Sequence, residues 1–525
     1  MIKPIQVVLR SGFDWAERGL DRLVGPKANP LAQLGALGYF LFWIVAVSGF
    51  YVFAVFDTGV TRAFDSVEWM SGPQWWHAGV MRSFHRYASD LMVAVMLVHL
   101  TREFSLDRFR GARWFSWFSG IPLIAFLYVS GITGYWLVWD KLAQYVATTS
   151  TELLDWMPIF GEPIARNFLE PTSLSDRFFT LLVFLHIAVP IVLLFVMWIH
   201  IQRISRPKVN PPRLLGGIVL VSLLIVSLAM PALSQGPANL AQVPSPVRLD
   251  SWFLVLYPLA DRAPGSAWAA MTAIGLLLSI APFLPPRRTP AAAKVFLDHC
   301  NGCGRCVDDC PYEALRLTRR TDGAVYLQEA IVDASKCVSC GICVGSCPSS
   351  TPFRRSQDLV TGIDLPDYPL ARMREDLIAA CGALSEGPKI LAISCAHGAG
   401  GKLKASNGLA VLELPCVAMA PPSLIDFALA RNHVEGVAIV GCSERSCHNR
   451  LGVDWTKQRI AHERDPYLRT RVPRERLATI WASSTEAGRM ERELETLRKR
   501  VAALGADTPP PTPPTPAEPR EKVLS

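Results

Sequence analysis

The chain has 525 residues, of which 50% are hydrophobic and 19% charged, with a formal net charge of +8. A soluble domain averages about 25% charged residues, so the deficit points to a membrane, and a chain of this length holds about three domains at ~150 residues each. Eight of the 13 cysteines fall between Cys300 and Cys347, which excludes both a uniform soluble enzyme and a small disulfide-stapled secreted module.

The first 30 residues carry Lys3, Arg10, Arg18, Arg22 and Lys27 among scattered apolar residues. They lack the uninterrupted apolar core of a signal peptide; residues 11–24 are expected as an amphipathic helix on a membrane surface. Residues 31–56, 114–139, 178–202, 214–233 and 266–286 contain no Asp, Glu, Lys or Arg, and a bilayer is crossed by about 20 such residues. Residues 79–101, interrupted by Arg82, Arg86 and Asp90, complete an expected set of six spans. Arginines 102, 108, 110 and 113, then Arg203, Arg206, Lys208 and Arg213, then Arg287 and Arg288, mark one side. Asp57, Asp65, Glu68, Glu152, Asp155, Glu162, Glu170, Asp250 and Asp261 mark the other. Basic loops face the cytoplasm, so both termini are expected there.

The second and fourth expected spans each hold two histidines 14 residues apart, His85/His99 and His186/His200. Such a spacing is close to four helical turns, so each pair shares a face and is separated by about 21 Å. Two such helices side by side present two imidazole pairs, one above the other, as six-coordinate haem requires. The bland alternative is four satisfied core histidines, disfavoured because polar groups inside a membrane are costly. Gly35 and Gly49, and Gly120 and Gly134, repeat the 14-residue interval in the first and third spans.

On these residues the segment 31–290 resembles the cytochrome b of quinol–cytochrome c oxidoreductases. The resemblance implies an all-α di-haem bundle with one haem b held by His85 and His186 and the other by His99 and His200. It further implies glycines 35, 49, 120 and 134 against the macrocycles, Arg82 and Arg102 on haem propionates, a quinone substrate and a homodimer. The stretch GYWLVWD at 134–140 resembles the approach to the family's outer quinone pocket. Where that family has Pro-Glu-Trp-Tyr, this chain has Leu249, Asp250, Ser251 and Trp252. Asp250 is the candidate proton acceptor for a quinol, against an altered, inactive or lipid-filled site. No Rieske-type pattern accompanies it.

Residues 300–311 and 337–348 each read C-x2-C-x2-C-x3-C-P, the run of two-cluster ferredoxins whose fourth cysteine serves the other cluster. Cys300, Cys303, Cys306 and Cys347 are thus expected to hold one [4Fe–4S] cluster, and Cys337, Cys340, Cys343 and Cys310 the second. Zinc is the alternative for C-x2-C pairs. Iron–sulfur sites agree with a reducing cytoplasm.

Further on, Cys395, Cys416, Cys442 and Cys447 follow apolar runs at 389–393, 409–414 and 436–440, with a helix-like stretch at 422–432 between. Cysteines after successive strands of an α/β layer can converge at one edge; structural thiols, zinc and an iron–sulfur site all stay open on spacing alone. The L-P-C segment and G-C-x4-C-H followed by Arg459 resemble the delta subunit of methyl-viologen-reducing hydrogenase, which implies a [2Fe–2S] cluster on these four and a docking site for a soluble flavoprotein or dehydrogenase. The family often has a second cysteine soon after the first, whereas His397 and Gly398 stand here. Cys381 matches nothing and reads as a helix thiol.

The expected organisation is a surface helix (1–30), a transmembrane domain (31–290), a ferredoxin-like α+β domain (291–355), a linker (356–386), a small α/β domain (387–484), an exposed helix (485–505) and a Pro-rich disordered tail (506–525). With no nucleotide fingerprint and no P-loop, the chain reads as an electron-transfer subunit between quinone and a soluble oxidoreductase, in a bacterial inner membrane and without a nucleic-acid partner. A self-contained ferredoxin:quinone reductase and a redox-sensing scaffold are the rival classes.

Overall fold

A computed structural model describes residues 2–159, 175–202, 206–284, 290–353, 359–431 and 434–505. Glu162, Glu170, Arg203, Arg287, Arg288 and the Pro-rich tail lie outside the described residues. The chain divides into two units, Met1–Arg287 and Arg288–Ser525.

The first unit is helical because its apolar runs have no polar face to expose and must satisfy every backbone group internally. Its elements are α1 (Ile2–Val24), α2 (Leu34–Val55), α3 (Arg62–Ser71), α4 (Val80–Ser105), α5 (Trp114–Val138), α6 (Lys141–Asp155), α7 (Asp176–Gln202), α8 (Arg213–Ala229), α9 (Tyr257–Arg262) and α10 (Pro264–Ile280). Helices stand at all six expected places. Among the described residues, four stretches, Pro30–Val55, Trp114–Val138, Asp176–Gln202 and Pro264–Phe283, are long and apolar enough to cross a bilayer. Of the other two, α4 carries Arg82, Arg86 and Asp90, and α8 has 17 residues. Packing pairs α2 with α4 and α5 with α7, around a core that includes Leu41, Ala88, Val93, Leu123, Leu127 and Leu193.

Three elements were not foreseen, one of them α9 in the loop between the fifth and sixth expected spans. Helix α3 and helix α6 lie in loops read as merely acidic; α6 starts where Asp140 accepts the amide of Ala143 at 2.8 Å and that of Gln235 at 2.8 Å. The N-terminal helix is also longer than 11–24 and turns two of its polar residues inward. Gln6 and Glu17 are buried while Ile5, Val8, Trp15 and Leu23 are exposed. Gln6 donates to the Phe104 carbonyl at 2.8 Å, and Arg102 donates to Glu17 at 2.8 Å.

The second unit begins with two short antiparallel pairs, β1 (Lys294–Val295) with β4 (Ile363–Asp364) and β2 (Leu315–Arg319) with β3 (Gln328–Val332). Two five-residue helices, α11 (Arg305–Asp309) and α12 (Ile342–Ser346), follow the cysteine loops. After α13 (Leu370–Gly382) comes a parallel sheet of β5 (Ile390–Cys395), β6 (Leu409–Leu414), β7 (Gly436–Gly441) and β8 (Leu477–Trp481) in the order β6-β5-β7-β8. The helices α14 (Pro422–Arg431), α15 (Gly452–Ile460) and α16 (Ala487–Gly505) complete it. Alternate residues of a strand face opposite sides: Leu391, Ile393 and Ile439 join the core of α13 and α14, while Ile390, Ala392 and Val440 join that of α16. Burial on both faces explains why β5 and β7 read as continuous apolar runs.

Two expectations change here. The stretch expected as a linker, 356–386, is not one over its described part, 359–386: Leu370, Met373, Leu377 and Cys381 form a buried helical stripe on the sheet. Nor is the last helix exposed. Met490, Leu494, Leu497 and Val501 are buried at helical spacing against the opposite face, a stripe hidden in the sequence by the charges around it. Leu497→Ala should therefore destabilise the detergent-solubilised protein by ~2–4 kcal/mol, whereas Glu495→Ala on the exposed side should stay within about 0.5 kcal/mol; urea unfolding followed by near-UV circular dichroism reads the difference.

Candidate redox sites

In the first unit α4 carries His85 and His99, and α7 carries His186 and His200. The ring centres of His85 and His186 are 6.4 Å apart. A metal–imidazole bond of ~2 Å plus roughly 1.2 Å from nitrogen to ring centre, taken on both sides, gives about 6.4 Å, so the separation fits two imidazoles sharing one iron. Their Nδ1 atoms are already engaged. His85 Nδ1 lies 3.0 Å from the Val45 carbonyl and 3.2 Å from Ser48 Oγ; His186 Nδ1 lies 3.0 Å from the Ser130 carbonyl and 3.2 Å from Thr133 Oγ1. An Nδ1–H donating to a carbonyl fixes the tautomer and leaves Nε2 for a metal. His200 Nδ1 likewise meets Ser119 Oγ at 2.9 Å.

The glycines lie where the rings lie. A Cβ on Gly49 would stand 3.0 Å from His85 Cε1, and one on Gly134 2.9 Å from His186 Cε1. Gly35 and Gly120 face His99 and His200 at 3.8 and 3.6 Å by the same measure. The arginines have protein partners: Arg82 donates to Ser71 and Ser234, and Arg102 to Glu17 through both Nε and Nη2. Asp250 is likewise engaged. One oxygen is 3.3 Å from Arg86 Nη2, the other accepts the Phe253 amide at 2.7 Å, and Arg86 also pairs with Asp90 and lies over the Tyr135 ring.

In the second unit the two cysteine loops are built alike. Gly304 and Gly341 occupy equivalent left-handed turns, at φ 76° and 74°, that start the helices α11 and α12. A cavity is lined by Cys300, Cys303, Cys306 and Cys347, the first expected ligand set including its remote member. Burial pushes the Cys306 thiol up to about 12, with Cys347, Cys303 and Cys300 adding to it. Burial likewise drives Cys343 well upward, with Cys340, Cys306, Cys310 and Cys337 contributing. Thiols so placed hold their protons until a metal displaces them. Backbone amides already point at sulfur, Ala293 to Cys337 at 3.4 Å and Ala314 to Cys310 at 3.3 Å, as clusters require for tuning.

The remaining cysteines converge at the carboxyl edge of the parallel sheet. Cys395 ends β5, Cys416 follows β6 by two residues and Cys442 follows β7 by one. The chain leaves the sheet in opposite directions from β5 and β7, and such a switch point forms a crevice. Cys395 and Cys442 bring their sulfurs to 3.5 Å. A Cβ on Gly452, the first residue of α15, would stand 2.4 Å from Cys416 Sγ and 3.7 Å from Cys447 Sγ. All four are buried. The hydrogen bond with Cys395, then burial, pushes Cys442 up to about 12. His397 and His448, stacked at 3.6 Å, lie beside this edge. Among the described residues no three His, Cys, Asp or Glu side chains close around a point tightly enough for a single ion; a cluster of several irons and sulfides needs a wider cage. Three residues that sequence reasoning gave no role, Asp309, Ser346 and Trp455, lie between the cysteine sets, and only the position of Asp309 and Ser346 directly before Cys310 and Cys347 hinted at it.

Paired imidazoles in the helical unit, joined in one chain to grouped thiols, are the side chains that a membrane electron-transfer subunit uses, and the family matches assign the chain to that class. Residues 20–207 match the family model of cytochrome b (Cytochrome b/b6/petB), residues 299–351 that of the 4Fe-4S dicluster domain, and residues 391–505 that of the delta subunit of methyl-viologen-reducing hydrogenase. Among solved structures, a chain described as "Hyperthermophilic respiratory Complex III" is 20% identical, with a TM-score of 0.38, over 48% of this chain and 74% of that one. The family matches make this a multi-pass membrane protein that carries haem b and [4Fe–4S] clusters. The delta-subunit match runs on through α16, beyond residue 484.

Gly49→Leu and Gly134→Leu should each remove the same one of two b-type signals, cutting the b-type absorbance of the purified protein by about half, because a side chain there meets the His85 or the His186 ring. Gly12→Leu, with nothing within 4 Å of its Cβ position, should leave the reduced-minus-oxidised spectrum unchanged.

Proposed function

We propose that the chain relays electrons between the quinone pool and a soluble cytoplasmic flavoprotein or dehydrogenase. The observation that carries this reading is the 6.4 Å facing of His85 and His186, each with its Nδ1 turned to a carbonyl. When bound, two haems b, two [4Fe–4S] clusters and one [2Fe–2S] cluster supply one-electron transfer. His85 and His186 bind one haem through Nε2, and His99 and His200 the other. Arg82 and Arg102 neutralise propionates, Arg102 exchanging or sharing its contact with Glu17. Six spans set the two histidine layers near opposite membrane faces, with both termini cytoplasmic.

Asp250 takes a proton from quinol on the outer side, held in place by Arg86 and the Phe253 amide. Cys300, Cys303, Cys306 and Cys347 hold one [4Fe–4S] cluster; Cys310, Cys337, Cys340 and Cys343 hold the other. The four thiols at the sheet edge hold the [2Fe–2S] cluster, and the soluble partner docks on the surrounding α/β layer. The bundle pairs with a second copy as a homodimer.

Dithionite-reduced protein mixed with a water-soluble quinone should reoxidise rapidly, and a flavoprotein should co-purify after mild solubilisation. A sensor would reoxidise slowly; a self-contained reductase would turn over without the flavoprotein. His85→Ala and His186→Ala should remove the same b-type signal and His99→Ala the other. Retention of two b-type signals in all three variants would sink the pairing. Cys442→Ser should abolish one EPR component and spare the two ferredoxin signals.

A further inference from the structure

Arg459, on α15, is 1% exposed. Its Nη1 donates to the Ala418 carbonyl at 2.9 Å, and its Nη2 donates to Asp309 Oδ2 at 2.5 Å and to Ser346 Oγ at 2.7 Å. Each partner neighbours a cysteine of a different set. Asp309 directly precedes Cys310, Ser346 directly precedes Cys347, and Ala418 lies two residues past Cys416. One guanidinium therefore touches chain beside the second cubane set, the first cubane set and the sheet-edge set.

The surroundings are tight and carry an excess of positive charge. Ser346 Oγ also donates to Asp309 Oδ2 at 2.7 Å. Arg464 donates to Asp309 Oδ1 at 2.9 Å and stacks 3.6 Å over the Trp455 ring, whose Nε1 donates to the Asp309 carbonyl at 3.1 Å. Two arginines thus face one carboxylate. Arg459 Nε, although buried, has no hydrogen-bond partner among the described residues. On α12 a Cβ at Gly345 would stand 2.0 Å from the Ala418 carbonyl. Ile342, Cys416, Ala418 and Trp455 share one core with Cys340 packed against it, so the sheet-edge set borders the second cubane set directly.

We infer that Arg459 is a positioning residue that locks the three cysteine sets into one fixed spacing and, as a buried cation between them, raises the reduction potentials of the clusters they hold. The inference rests on the cluster assignment proposed above. Reduction adds one negative charge to a cluster, and a positive charge fixed nearby in a low-dielectric interior favours the reduced form.

The test is an EPR-monitored redox titration of the purified full-length protein and three variants. Arg459→Gln should lower the reduced fraction of the sheet-edge and neighbouring [4Fe–4S] signals at least tenfold at a fixed potential, and leave both haems unmoved. Asp309→Asn, which removes the anion and keeps the cations, should move the same signals the opposite way. Arg459→Lys, which keeps the charge, should shift them less than Arg459→Gln. Opposite signs at 459 and 309 are a result that loosened packing does not produce. Unchanged titrations in Arg459→Gln, or equal shifts in the Lys and Gln variants, overturn the inference; if Arg459→Gln fails to assemble, the direction of the Asp309→Asn shift decides it. Wild-type protein with cubane signals and no third signal would instead refute the [2Fe–2S] assignment, leaving the cubane titrations to judge Arg459.

Discussion

An imidazole placed among apolar helices must give one ring nitrogen to the protein before the other can serve a metal, and that requirement shapes the membrane unit. His85 on α4 turns Nδ1 to the Val45 carbonyl of α2; His186 on α7 turns it to the Ser130 carbonyl of α5. In an α-helix a carbonyl accepts the amide four residues on, and four residues after Val45 and Ser130 come Gly49 and Gly134. The glycines thus sit where a side chain would otherwise cover the carbonyl that the histidine needs. This contact ties α2 to α4 and α5 to α7 at the level of His85 and His186, and accounts for the glycine beside each of those two histidines.

The second unit answers a different requirement, that of keeping several buried thiols in fixed places. Two methods are used. In the ferredoxin segment, left-handed turns at Gly304 and Gly341 coil short loops around shared space, and a distant cysteine completes each set. At the parallel sheet, the strand ends themselves deliver Cys395, Cys416 and Cys442 to one edge, so their separation is set by strand spacing. Arg459 and Asp309 join the two constructions through hydrogen bonds that neither could make alone.

Much of this is legible in the sequence because period and spacing survive translation into structure. The 14-residue histidine interval, the doubled cysteine run and the apolar strands at 390, 409 and 436 each specify local geometry without outside help. What escaped reading depends on partners distant in sequence. The stripes of α13 and α16 are interleaved with charge, so Met490 and Leu497 look sparse until the sheet face that they cover is in view. Glu17 reads as an ordinary polar residue of a surface helix and becomes a buried partner only when Arg102, 85 positions away, is brought to it. The role of Arg459 depends on two residues from another segment, and no local pattern announces a three-way contact.

The exposure of the cysteines sets an order of chemical vulnerability. Cys303 stands open to solvent, whereas Cys395, Cys416, Cys442 and Cys447 are closed off by their own strands and by the start of α15. Water-borne oxidants, chelators and alkylating reagents therefore reach the ferredoxin loop first and the sheet edge last.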